Sequence, residues 1–191
     1  MTQHIPASTP VDIVRPAEVL GFWRDAGPDR WYVKDAALDA DIRARFLSTW
    51  QAAEAGQLSA WESGDDGTLA LLLLLDQFPR NMFRGDIRAF STDRQARNVA
   101  MRAIGRGVDA RVAPELRQFV YLPLMHSEDL ADQEHCCALF LATGETDNLK
   151  YADEHADIIR RFGRFPHRNA ILGRASTPEE LAFLEAGGFA G

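Results

Sequence analysis

The sequence predicts an all-α domain built from antiparallel helix pairs. Three observations carry that expectation. Apolar residues recur at helical spacing in one segment after another. No segment shows the sustained period-two alternation of a half-buried strand. Short breaks rich in Gly, Pro, Ser and Thr separate the segments, and loops that short join neighbouring helices antiparallel. With 191 residues and 46% hydrophobic content, the chain suits a single domain with a sizeable core.

Residues 1–14 read as a flexible N-terminal arm, with Pro6 and Pro10 beside Ser8 and Thr9. The domain proper spans residues 15–191. Pro16 opens the first helix, because its missing N–H falls where the donor has no partner anyway. Val19, Leu20 and Trp23 share its inner face, and Gly27-Pro28 stops it. Leu38, Ile42, Phe46, Trp50 and Ala53 define a longer helix ending near Gly56. Leu58 and Trp61 form a short packed turn, and Gly64 to Gly67 reads as a loop.

Thr68 to Phe78 is nearly all leucine until Asp76. Leucine is a strong helix former and β-branched residues are almost absent, so the run is expected to be a buried helix. Thr92 and Gln95 make a capping box for the next helix, which Gly105 and Gly107 end. Pro114 opens a further helix that ends or kinks at Pro123. Ser127 is the expected N-cap of a helix running to Thr143, with Gly144 as its stop. Another runs from Asp147 to Arg161 and stops at Gly163. Thr177, Pro178 and Glu180 cap the last helix, which ends at Gly187-Gly188.

The formal net charge of −7 argues against a nucleic-acid partner, which calls for a basic face. The two cysteines, Cys136 and Cys137, are adjacent and cannot form an ordinary disulfide. They suit a reducing compartment. The N-terminus lacks a secretory pattern. The longest apolar run, Leu69 to Leu75, is far short of the roughly 20 residues that span a bilayer. A cytoplasmic protein without a membrane partner is expected. No dinucleotide or phosphate-binding glycine motif is present, so no cofactor is expected. The acids and histidines match no recognised metal-ligand spacing, so no metal is expected either.

Three clusters carry chemistry. In the first, Asp76 faces the same way as buried leucines and needs a partner; Arg80 is near, with Asn81 beyond it. In the second, His126 precedes Glu128 and Asp129, whose acids complement the dipole of a helix start. Glu134 lies on a stripe with Leu130, Cys137 and Leu141, and is expected to point inward or line a cavity. In the third, His155 shares a path with Tyr151, Ile158 and Phe162 and points inward, where proton transfer or anion binding suits it. A dense cationic stretch follows, with Arg164, His167, Arg168, Asn169 and Arg174; guanidinium groups match carboxylate and phosphate geometry. Gln77-Phe78-Pro79-Arg80-Asn81 echoes Arg164-Phe165-Pro166-His167-Arg168-Asn169, a hint of internal duplication. Each helix should end at its Phe-Pro step.

The stretches LLLLLDQFPRNMFRG, FVYLPLMHSEDLADQE and YADEHADIIRRFGRFPHRNAILGR together closely resemble the domain of unknown function family 924. The likeness runs from Val19 to Glu180. It implies a tetratricopeptide-like arrangement of antiparallel helices and supplies no reaction, substrate or cofactor. The family's motif positions fall on Asp76, Gln77, Pro79, Arg80, Asn81, His126, Glu128, Asp129, Glu134, His155, Arg164, His167, Arg168 and Asn169.

The preferred reading is one polar pocket for a small anionic ligand. Arg80, Arg164 and Arg168, helped by Asn81, His167 and Asn169, would bind the anion. Glu134 or Asp76 with His155 or His126 would be the acid–base pair if catalysis occurs. The rival is a protein- or peptide-binding helical module whose inward polar residues brace the helices. A third reading is self-association through Phe22, Trp23, Trp31 and Trp61.

Overall fold

The structure is a computed structural model and describes residues 12–189. All regular structure among them is helical. The expected arm lies almost wholly outside the described residues. The helices are α1 (Pro16–Ala26), α2 (Pro28–Trp31), α3 (Ala36–Glu54), α4 (Asp65–Leu72), α5 (Phe78–Met82), α6 (Asp93–Gly105), α7 (Pro114–Met125), α8 (Leu130–Thr143), α9 (Thr146–Phe162) and α10 (Pro178–Glu185). Short 3-10 turns occur at Ser59–Ser63, Ile87–Phe90 and Pro166–Arg168. No helix among the described residues is long and apolar enough to cross a membrane.

The leucine run forms the centre of the molecule. Leu69 to Leu75 are all buried, as expected for a helix that is apolar all round. Trp23, Trp31, Phe78 and Phe119 pack against one another beside it, with ring centroids 5.0–6.0 Å apart. Trp23 and Trp31 are thus core residues, and Phe22 and Trp61 are half-buried against the same core. Self-association through these four aromatics is therefore not what the fold offers. A second, smaller cluster gathers Ile158, Ile159 and Phe165 with Phe162, Phe183 and Phe189 near the C-terminus.

Gly64 to Gly67 is the start of α4 rather than a loop, with Gly64 as the cap residue. A Cβ on Gly67 would stand 2.2 Å from the carbonyl oxygen of Trp61, so the helix can meet the preceding turn only through glycine. Gly67→Ala is expected to cost about 1–3 kcal/mol, the usual range for forced overpacking. That corresponds to roughly 2–4 °C of melting temperature per kcal/mol for a chain of this size, and thermal denaturation followed by circular dichroism measures it.

The first Phe-Pro step does not end its helix. α4 passes through a π-helical stretch, Leu73–Gln77, into α5, and Phe78 keeps helical angles (φ −61°, ψ −39°). The Phe78 N–H donates to the Leu73 carbonyl, five residues back. Pro79 has no N–H to offer the Leu75 carbonyl four residues behind it. The Thr92 hydroxyl supplies that missing donor at 2.5 Å. Thr92 is therefore occupied elsewhere and gives α6 no side-chain cap, and Gln95 donates to the Ala53 and Glu54 carbonyls, so the expected capping box does not form.

The second Phe-Pro step behaves as expected. α9 ends at Phe162, Gly163 is left-handed, and Phe165 is extended (φ −87°, ψ 110°). Pro123 lies inside α7, which continues to Met125. Asp129, not Ser127, caps α8 through the Ala131 N–H. Thr177 and Glu180 do form the expected capping box on α10.

Candidate functional site

Five separate segments bring polar side chains to the place where the main core meets the small C-terminal cluster. The π-helical stretch contributes Asp76, α5 contributes Arg80, and the first residue of α6 contributes Asp93. The residue after α7 is His126, and the 3-10 turn after α9 ends on Arg168. Phe90 and Phe165 wall the cluster: the Arg168 guanidinium lies 4.8 and 4.4 Å from their ring centres, and Arg80 lies 5.8 Å from Phe90.

Asp76 is buried, with 1% exposure, and every bond it makes is to a donor. His126 Nδ1 is 2.7 Å from Oδ1. Arg80 Nη1 is 3.2 Å from the same oxygen, and Gln77 Nε2 donates to Oδ2 at 2.5 Å. Burial alone would raise the carboxyl, but the Arg80 charge and the hydrogen bonds from His126 and Gln77 outweigh it and hold Asp76 below the usual carboxylate range. An ionised Asp76 accepts the Nδ1 proton of His126, which leaves the other ring nitrogen, Nε2, with a lone pair. Nε2 has no hydrogen-bond partner among the described residues. The His126 side chain is 16% exposed. Burial and the nearby Arg80 cation push His126 below the ordinary histidine value, so the ring is neutral at pH 7.

The His126 backbone is fixed as firmly as its ring. Gln133 Nε2 donates to the Met125 and Ser127 carbonyls, each at 2.6 Å. Arg168 Nη1 donates to the His126 carbonyl at 3.0 Å. Ser127 donates to Asp132, which also receives Arg97 through three contacts of 2.7–3.1 Å.

The two arginines differ in how fully they are used. Arg80 grips Asp93 with two bonds, of 2.9 and 3.0 Å, and donates to the Asp76 carbonyl at 2.7 Å. Arg168 has only Nη1 engaged, to the His126 carbonyl and weakly to Asp93 at 3.4 Å. Its Nε is buried without a partner, and its Nη2 makes no hydrogen bond among the described residues. Burial and the neighbouring Arg80 cation lower Arg168 to about 10. It remains charged at neutral pH.

The other expected site residues divide cleanly. His155 is buried as expected, with Nδ1 2.7 Å from the Tyr151 carbonyl and its ring against Phe165 and Phe189. Burial, then the His126 charge, lowers it to about 4. His167 touches the same two rings, and burial followed by Arg168 lowers it to about 3. Both histidines thus sit beside the cluster, on Phe165, rather than within it.

Glu134 does not point inward. Its side chain is 57% exposed, and its ion pair is a long 3.8 Å contact with Arg160. The stripe on which it lies faces solvent: Leu141 is 69% exposed and Leu130 36%. α8 instead buries Asp132, Gln133, Cys136 and Phe140, because the two polar residues among them hold the preceding loop. Arg164 binds Glu180 at 2.6 and 2.8 Å. Asn169 joins Ser176, Glu180 and Arg174, and Arg174 grips Glu128, which also receives the Phe165 N–H. These residues fasten the C-terminal segment. Asn81 donates to Asp39 and ties α5 to α3. Arg164, Asn169 and Asn81 are spent on protein contacts and do not share the cluster.

Sequence reasoning missed Asp93 and Phe90. The signal available for Asp93 was an acid in the first turn of a helix, which has a sufficient local explanation. Two clefts lie elsewhere. One, of about 240 Å³, is lined by Leu58, Glu62, Leu75, Gln95 and Arg102. The other, of about 320 Å³, is lined by Ile158, Arg161, Phe162, Phe183 and Phe189. Neither includes Asp76, His126 or Arg168. Among the described residues no group of three or more metal-ligating side chains is placed to hold an ion.

A family model described as a bacterial protein of unknown function (DUF924) matches residues 19–188. No curated protein matches the chain. The chain is similar to a solved structure described as the protein of unknown function ATU0120 from Agrobacterium tumefaciens. The two are 49% identical with a TM-score of 0.87, and the match covers 90% of this chain and 97% of that one.

Proposed function

The chain belongs to the DUF924 family, whose description assigns no activity, and we propose from its geometry that it binds a small anionic ligand and exchanges a proton with it at His126. The carrying observation is the Asp76–His126 pair, 2.7 Å apart, with the outward ring nitrogen unpartnered among the described residues. A carboxylate that holds Nδ1–H fixes the ring's tautomer and orientation and presents Nε2 as a base. Arg168 supplies a cation one short contact away, through the His126 carbonyl, with Nη2 unengaged among the described residues. His126 is the proton-exchanging group, Asp76 its positioning residue and Arg168 the anion receiver. Arg80 neutralises Asp93 and holds Asp76 ionised. The helix pairs, in the tetratricopeptide-like arrangement the family resemblance implies, serve as a rigid frame. A cytoplasmic setting suits the two free thiols, Cys136 and Cys137.

The test is titration calorimetry with a panel of small organic acids, each run in buffers of different ionisation enthalpy. At least one acid is expected to bind with a buffer-dependent heat, which counts protons exchanged. His126→Asn is expected to remove the buffer dependence while retaining measurable binding. Arg168→Gln is expected to weaken binding by about tenfold or more, the worth of a hydrogen bond to a charged group. Proton exchange unchanged in His126→Asn would contradict the proposal.

A further inference from the structure

We propose that the ligand's anionic group is a carboxylate, a single negative charge, rather than a dianionic phosphate or sulfate. The inference rests on the reading of His126 and Arg168 just given and narrows it to a substrate class. The unliganded cluster is electrically balanced: Asp76 and Asp93 set against Arg80 and Arg168, with His126 neutral. Glu128, the next carboxylate, has Arg174 as its own partner at 2.6 Å. Among the described residues Arg80 commits both Nη atoms to Asp93 and the Asp76 carbonyl, while Arg168 engages only Nη1 and keeps a buried Nε without a partner.

Arg168 is buried, with 6% exposure, so an anion has only a narrow approach to its guanidinium. An anion there lies near two carboxylates, in surroundings walled by Phe90 and Phe165. One added negative charge leaves the cluster at −1 and uses the unfilled donor. A second added charge meets Asp76 and Asp93 with no further cation to answer it, and like charges held close in low dielectric are strongly unfavourable. His126 also presents a lone pair at Nε2, which accepts a proton and repels a second anionic oxygen. A carboxylate with the remainder of the molecule directed at His126 satisfies both groups. A compact dianion such as sulfate meets Arg168 but offers Nε2 no proton and adds a charge that no cation answers.

The experiment follows the His126 ring resonances of the full-length protein by nuclear magnetic resonance during additions of sodium acetate, and separately of sodium sulfate. Ionic strength is matched with chloride. Acetate is expected to shift the His126 signals saturably and sulfate to give no saturable shift. Arg168→Gln and Arg168→Lys, each checked for a cooperative melt, are expected to weaken acetate binding by about tenfold or more through loss of the Nη2 donor. Saturable sulfate binding that persists while acetate has no effect would overturn the inference and leave the proton-exchange reading intact. Acetate binding undiminished in a folded Arg168→Gln protein would overturn it as well. Absence of any saturable shift with either anion, with His126 still protonated on Nδ1, would remove the carboxylate ligand and spare the dyad. A His126 protonated on Nε2 instead would remove the proton-exchange reading itself.

Discussion

Asp76→Ala is expected to lower stability by about 3–5 kcal/mol, the range seen when one partner of a buried ion pair is removed. At roughly 2–4 °C per kcal/mol for a chain of this size, the melting temperature falls by about 10 °C. The loss has three sources. Arg80 keeps Asp93 but loses half of its neutralising charge while remaining buried. Gln77 loses its acceptor. The His126 Nδ1–H is left without a partner. Asp76→Asn separates charge from shape. It keeps an oxygen for Nδ1 but removes the anion that raises His126 against the burial and the Arg80 cation. His126 is therefore expected to titrate lower in Asp76→Asn than in the parent. Denaturation curves and a histidine titration measure the two effects separately.

Acid sensitivity between pH 6.5 and 4 is the second large expected effect. His155 is lowered from 6.5 to about 4, by burial first, then by the charges of His126 and Arg168. The unfolded chain takes up a proton near 6.5 while the folded chain resists until about pH 4. Stability is therefore whole above pH 6.5 and falls as pH drops through that window. For His155 alone the linkage amounts to about 2 kcal/mol by pH 5 and about 3 kcal/mol by pH 4. His167 acts in the same direction, down to about 3. The carboxylates held low, Asp76, Glu128 and Asp132, add their own losses only as pH falls through the carboxylate range. The interval from 6.5 to 5 thus isolates the histidines. His155→Phe is expected to reduce the slope there, leaving the part due to His126 and His167, and urea denaturation at stepped pH measures it. An unchanged slope in that variant would place the acid sensitivity elsewhere.

Much of the helical plan was legible in the residues themselves. Pro16, Pro114, Gly144, Gly163 and the Thr177–Glu180 box mark boundaries because they act through local backbone chemistry. Asp76 and His155 were legible as inward residues because each shares a helical path with apolar neighbours. The echo between Phe78-Pro79-Arg80 and Phe165-Pro166-His167-Arg168 was also visible, and both arginines do meet Asp93. Their backbones differ, since Phe78 stays helical and Phe165 is extended.

What the sequence hid depended on contacts far along the chain. The Thr92 hydroxyl is drawn away from its own helix by an orphan carbonyl 17 residues earlier. Glu134 lay on an apolar stripe that turned out to face solvent, because Asp132 and Gln133 decide which side of α8 is buried. Asp93 gains its role from Arg80 and Arg168, and the latter is 75 residues away. Arg164 and Asn169 looked as available as Arg168 because their partner, Glu180, also has a sufficient local role as a capping residue.

The most direct measurement is a long-range proton–nitrogen correlation spectrum of the histidine rings at neutral pH, in the parent and in Asp76→Asn. The expected result is a neutral His126 protonated on Nδ1 in the parent, with that preference weakened when the carboxylate is removed. A His126 that carries its proton on Nε2, or is cationic at pH 7, would contradict the assignment of this ring as a base held ready by Asp76.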